Sequence, residues 1–448
     1  MPRVRRIPRR LRVCAGDMTA LIARHVHDGV IRAVVALDGR TDADRLRRAL
    51  RLSLDAVPVA GCRLVEGRGR PHYRRLDAAA LDAAPLLAEF VATGAEADAA
   101  LARFALAPLD PHEGPLLRAA LIRGERDLFC LRMHHLLGDG LGALDYLQTL
   151  SALYAALERD PAHRPAPNVN GQRGLWPIVR RLSWRELRQG LRAPALPLRP
   201  GGWSLALAPG DDGPPLLVVR ELPAGRLAQV LAYARSQQAT VNDVLLAAWY
   251  RAIARLAPPP PGVELSVAIH VSLRRYLPGG RANAVANLSQ MARTSIGAEL
   301  GATLDETVAR VRADMARVKA EPPALAMPLL TLAPPGLRRL LLRRGPQRPT
   351  PRPGSPAGQR RPLGGGAPLF NNIGRVDAAG LALGAPAVNA YLTACVPAPA
   401  MRGLQVVVTT CGERVNLAVV MRDIADDRQV LAALLDAFEA ELAATAPR

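Results

Sequence analysis

The stretch FCLRMHHLLGDGLGALDYL, residues 129–147, decides the reading of this chain. An apolar run ends in two adjacent histidines, an Asp-Gly pair follows, and then a helical spacing begins. Leu128, Cys130, Arg132 and His134 alternate with Phe129, Leu131, Met133 and His135, as on a strand whose successive side chains face opposite ways. Leu144, Leu147, Leu150 and Tyr154 then recur on one side of a helix. Two histidines on opposite faces do not easily share a metal ion, and no further ligand stands at metal spacing nearby. The arrangement offers one imidazole as a general base and one buried neighbour. A plainer reading makes Gly138-Asp139-Gly140 a tight turn with Asp139 capping the helix and both histidines packed.

Outward from this stretch the chain alternates strands and helices. VIRAVVAL (30–37) reads as a strand. Thr41 stands as cap to a helix burying Leu46, Leu50, Leu54 and Val57. Residues 115–122 and 127–135 read as paired strands. From about 159 to 214 Pro, Gly and Arg dominate, and the segment reads as a linker around one short helical piece. The alternation restarts with LLVVREL, a helix from Pro223, a helix capped by Thr240 or Asn242, and a strand over 263–273. An amphipathic helix, three neighbouring strands (NAYLTACV, GLQVVVTTC, RVNLAVVM) and a closing helix complete it. Residues 343–368 carry no apolar period and read as a mobile loop. The resulting division is a basic arm at 1–17, one α/β lobe at 18–165, a linker at 166–214 and a second lobe at 215–448, with Met18 an alternative start.

Composition narrows the function. The chain has 448 residues, 49% hydrophobic and 22% charged, enough for two cores. Its net charge is +20, yet Lys319 is the sole lysine and the arginines are spread among few aromatics. That pattern argues against nucleic acid, whose readers concentrate charge and stacking rings on one face. It suits an acidic carrier protein, the phosphates of coenzyme A or peripheral contact with anionic lipid. Five cysteines without a CxxC pair point to a reducing cytoplasm and to no bound metal. No apolar run reaches the length of a membrane span.

The motif HHLLGDG resembles the HHxxxDG signature of the condensation-domain and coenzyme-A-dependent acyltransferase superfamily. TVNDVLLAA (240–248) and HVSLRR followed by VANLSQM are similar to segments of its wax ester synthase/diacylglycerol acyltransferase branch, and FNNIGRVD (370–377) to a strand of alcohol acyltransferases. Asn371 stands where that strand usually has Ser, and the N-terminal opening of peptide-synthetase condensation domains is not recognisable.

The resemblance implies an α/β (α+β) fold of two chloramphenicol-acetyltransferase-like lobes in a V, with a tunnel between them. It implies a thioester-dependent O-acyltransferase, with acyl-CoA or acyl-phosphopantetheine as donor substrate, an alcohol acceptor and no bound cofactor. Alternatives are a free-standing condensation enzyme forming amides on carrier-bound substrates, and a non-catalytic binding relative. His135 is the expected general base in the tunnel, among walls bearing Phe129, Leu131 and Met133, and His134 fixes the loop. Asp139 pairs with Arg274, and Gly140 leaves the tunnel open. Asn287 and Asn372 either donate to the oxyanion or satisfy strand ends. Asn242 and Asp243 read as helix caps, and His270 as a structural residue. His25, His27, His72, His112 and His163 form no constellation.

Overall fold

The computed structural model describes residues 6–67, 69–193, 203, 205, 213–331, 368–398, 404–423 and 427–446. The chain opens with β1 (Arg10–Arg12) and α1 (Ala15–Ile22). The first lobe continues through β2 (Val30–Leu37), α2 (Ala43–Ala56), β3 (Cys62–Val65), β4 (His72–Arg75), α3 (Ala78–Asp82), β5 (Leu87–Val91), α4 (Gly94–Leu106), β6 (Leu117–Arg123), β7 (Asp127–His134) and α5 (Gly140–Arg159). Helices α6 (Trp176–Val179) and α7 (Trp184–Arg192) occupy the connection. The second lobe holds β8 (Pro215–Glu221), α8 (Arg226–Ser236), α9 (Val241–Leu256), β9 (Ser266–Ser272), β10 (Ser289–Ser295), α10 (Leu304–Ala320) and α11 (Ala326–Thr331). It ends in β11 (Leu369–Val376), β12 (Ala387–Thr393), β13 (Gln405–Cys411), β14 (Arg414–Arg422) and a closing helix, α12 (Asp427–Ala443).

Each lobe is a sheet with helices on it. The first sheet runs β12-β2-β7-β6-β5. Helices α2 and α5 cover one face through Leu46, Leu50, Leu54, Leu144, Leu147 and Leu150, whereas α4 covers the other through Ala97, Leu101 and Phe104. The second sheet runs β10-β9-β11-β13-β14-β8, with α9, α10 and α12 on one face around the buried Trp249 and Phe438. A small sheet, β1-β4-β3, flanks the first lobe.

Several expectations need correction. Residues 10–17 are not a free arm: Leu11 packs on the first core between exposed Arg10 and Arg12, and β1 pairs with β4. The charge of this segment hid its inward residues Leu11, Val13, Ala15 and Asp17. The cap of α2 is Asp42, whose carboxylate accepts from Asp44 N and Arg45 N, whereas Thr41 is buried one residue earlier and gives its N–H to Asp127. The three late strands are not neighbours. β13 and β14 pair, but β12 leaves the second lobe and pairs antiparallel with β2 of the first. Within 166–214, α6 and α7 are ordered elements, and Leu175 and Ile178 pack with Leu273, Ala286, Leu288 and Leu325. Phe129, Leu131 and Met133 are completely buried in the first lobe's core and cannot line a tunnel. The loop expected at 343–368 lies, but for its last residue, outside the described residues.

Candidate active site

Strand β7 ends at His134, and the chain turns through His135 into α5. The turn is held from several directions. His134 is buried, and its Nδ1 accepts from Leu136 N at 3.1 Å. Burial, with smaller contributions from His135 and other histidines, pushes its pKa down to about 3, so His134 is a neutral, structural ring. Tyr73 Oη donates to Leu136 O at 2.9 Å, and Arg173 Nη2 donates to Leu136 O and Leu137 O at 3.0 Å each.

Asp139 is both cap and anchor. Its Oδ1 accepts from Gly142 N at 2.8 Å, closing the first turn of α5. Its Oδ2 accepts from Arg274 Nη1 at 2.9 Å and from Leu288 N at 2.8 Å, so this one carboxylate binds the second lobe to the motif. Both partners of the ion pair are buried. Gly140 has a steric role, but against a strand of the second lobe: a Cβ there would stand 2.8 Å from Ile373 Cδ1 of β11.

His135 is half-buried, and its Nδ1 lies 2.9 Å from Asn287 Oδ1. The proton on this ring can be assigned by elimination. Asn287 Nδ2 sits 2.7 Å from His135 O and 2.9 Å from Asp17 Oδ1, and a carbonyl and a carboxylate only accept. The amide nitrogen therefore faces them, and its oxygen faces Nδ1. His135 must donate from Nδ1, which leaves Nε2 as the bare, basic nitrogen. Asp17 itself is completely buried at the third position of α1, where Oδ2 accepts from Cys14 N at 3.2 Å and Oδ1 also takes Arg173 Nη2 at 2.9 Å. Helix α1 comes so close that a Cβ on Gly16 would fall 2.3 Å from Asn287 O.

This corrects the expectation for Asn287. Both Nδ2 hydrogens are engaged, so it has none to give an oxyanion; it holds the His135 ring. Asn372 works within the second lobe: Nδ2 donates to Asn242 Oδ1 at 3.1 Å, and Oδ1 accepts from Gly374 N across a bulge in β11. Asn242 is thus a tie between α9 and β11, while Thr240 and Asp243 form the capping box.

The sequence reading also missed neighbours of His135. The His27 ring stacks on it with centroids 6.2 Å apart and planes 20° from parallel. His270, on β9, also interacts with His135 through charge, and its Nδ1 is enclosed without a partner among the described residues. Burial first, then the proximity of His135, pushes His27 and His270 down to about 4, so both stay neutral near pH 7. Among the described residues no group of three or more His, Cys, Asp or Glu is arranged to hold a metal ion. A count of register would have exposed His27, because β2 and β7 pair so that Val30 faces His134. Asp17 and Arg173 carried no such signal.

No family model matches the sequence. The chain is 18% identical to the first condensation domain of the CDA synthetase, with a TM-score of 0.67 over 99% of this chain and 98% of that one. The chain has the condensation-domain fold. A second solved condensation-domain relative, the starter condensation domain of rhizomide synthetase in complex with C8-CoA and Leu-SNAC, matches at a TM-score of 0.62 and 15% identity, over 98% of this chain and 94% of that one. In sequence, 124 residues (27% of this chain) are 32% identical to surfactin synthase subunit 2 of Bacillus subtilis, of whose length the chain spans 3%. On the condensation-domain fold the two lobes meet where Asp139, Asn287 and Gly140 make their contacts, and His135 stands at that seam.

Proposed function

We propose that this chain transfers an acyl group from a thioester, acyl-CoA or acyl-phosphopantetheine, to a hydroxyl acceptor. The observation that carries the reading is the assigned tautomer of His135. With Nδ1–H held by Asn287, Nε2 takes the acceptor's proton as its oxygen attacks the thioester carbonyl, and returns it to the departing thiolate. No acyl-enzyme is needed. His134 and the Asp139–Arg274 pair hold the turn in place.

A neutral acceptor is favoured by the charges around the base. Asp139 is engaged by Arg274, and Asp17 by Arg173 and Asn287. Neither is free to balance a buried ammonium. The net charge of +20 suits an anionic donor, whether the phosphates of coenzyme A or an acidic carrier protein. Amide formation is the second reading. It is supported by the Leu-SNAC, an aminoacyl thioester, held in the rhizomide structure. The rhizomide structure, which holds C8-CoA and Leu-SNAC, supports a thioester donor in either case.

The test is a mass-spectrometric screen of purified protein with acyl-CoA and acyl-carrier donors against matched alcohols and amines. Ester products that require His135 are expected. Amides forming faster than esters across matched acceptors would replace the first reading by the second. No transfer from any thioester would leave the non-catalytic reading.

A further inference from the structure

Strands β2 and β7 place a second imidazole at the base. Val30 faces His134 in their antiparallel pairing, and His135 N donates to Gly29 O at 2.6 Å. The register carries residues 27 and 29 past the end of β2 on the flank where His135 leaves β7. The 6.2 Å between the His27 and His135 centroids is too wide for one ring to hydrogen-bond the face of the other. Imidazole N–H bonds and lone pairs lie in the ring plane, so with planes 20° from parallel the two rings can serve one reacting group at their adjoining edges.

The His27 segment is built, not loose. Asp28 N donates to Val396 O at 2.9 Å, and Asp28 Oδ1 accepts from Val396 N at 3.0 Å and Val30 N at 3.1 Å. Buried Arg32 pairs with the same carboxylate and donates to Ala105 O. Gly29 N donates to His27 Nδ1 at 3.0 Å. A backbone amide only donates, so Nδ1 is bare and the neutral ring carries its proton on Nε2. That Nε2–H has no partner among the described residues. Asn287, whose hydrogens are both engaged, leaves the position of oxyanion donor open.

We propose that His27 is a second catalytic residue, whose Nε2–H donates to the oxyanion formed when the acceptor attacks the thioester carbonyl. The proposal rests on the acyl-transfer reading. As the C–O bond forms, the hydroxyl proton passes to His135 Nε2 and the carbonyl π pair moves onto oxygen, where His27 shares its proton without releasing it. As the carbonyl re-forms, the C–S bond breaks with its electron pair going to sulfur, and His135 protonates the thiolate. A neutral donor suits this place, since a cationic ring beside His135 would oppose its protonation.

The experiment compares wild type, His27→Ala and His27→Gln in transfer kinetics and thermal melts. Loss of one oxyanion donor lowers kcat by about 10²–10³-fold. His27→Ala should show that loss with KM changed less than about threefold, and His27→Gln, which keeps an N–H at similar reach, should recover part of it. Folded His27→Ala with wild-type kcat overturns the assignment of His27 alone. A wild type that transfers nothing overturns the acyl-transfer reading instead. Independently of activity and of whether the variants fold, ¹⁵N-histidine NMR of the wild-type protein at pH 7 should find His27 neutral with its proton on Nε2. A proton on Nδ1 or a cationic ring removes the donor role.

Discussion

Replacing Asp139 by Asn tests the joint between the motif and the second lobe. The change is nearly isosteric, and Asn can still cap α5 by accepting from Gly142 N. On the other oxygen, the substitution sets an NH2 group against Arg274 Nη1 and Leu288 N, donors facing a donor. Arg274 remains buried, with Ala286 O at 3.2 Å and the more exposed Asp145 carboxylate at 3.4 Å as its remaining partners. Breaking a buried pair costs about 3–5 kcal/mol, and the help from Asp145 places this case near the lower end, about 3 kcal/mol. Unfolding entropy near 2.1 cal/mol/K per residue gives about 0.9 kcal/mol/K for 448 residues. The melting temperature should therefore fall by about 3 °C, or about twice that if the lobes melt separately. Arg274→Ala should cost a similar amount by stranding the carboxylate. The double variant, measured by denaturant titration, should then cost about 3 kcal/mol and not about 6, a coupling of about 3 kcal/mol. Additivity within about 0.5 kcal/mol would refute the pairing argument.

Further outcomes follow from the same geometry. His135→Ala should lower kcat by at least about 10³-fold with little change in the melt, since among the described residues its half-buried ring bonds only Asn287 and stacks only on His27; a folded variant with normal turnover would dismiss the general base. Asn287→Ala frees the tautomer and should reduce kcat about 10²-fold, and equal turnover in variant and wild type would show that the base needs no orientation. Stability should fall with acid before carboxylates titrate. His27 and His270 fold at about 4 and His134 at about 3, against about 6.5 unfolded, so their contribution is complete above about pH 6.5 and lost as pH falls toward 4. Each should account for up to about 2 kcal/mol between pH 7.5 and 5, and a flat denaturant midpoint over that range would contradict their neutral burial. Gly140→Ala should change stability by less than about 1 kcal/mol, because Ile373 Cδ1 is the movable end of a half-buried side chain and alanine favours the helix; a loss above about 3 kcal/mol would show that Ile373 cannot give way.

The sequence by itself determined what depends on neighbours along the chain. Strand alternation over 127–134, helical spacing after Gly140 and the capping box of Thr240 and Asp243 are local patterns, and each forms where its residues imply. The HHxxxDG motif is likewise short enough to be read directly. Arg274 was legible only through the resemblance, since a buried carboxylate needs a cation but spacing does not name one 135 residues away. What the tertiary structure decided are contacts made by closure of distant segments. Asp17 reaches Asn287 across 270 positions, Arg173 reaches Asp17 across 156, and β12 crosses from one lobe to the sheet of the other. No periodicity encodes such pairings, because they arise only when two cores are packed against each other and each buried polar atom must find a partner in what surrounds it. For that reason a charged N-terminal stretch that reads as an arm supplies the carboxylate behind Asn287 and His135. The same closure stacks a histidine at position 27 on His135.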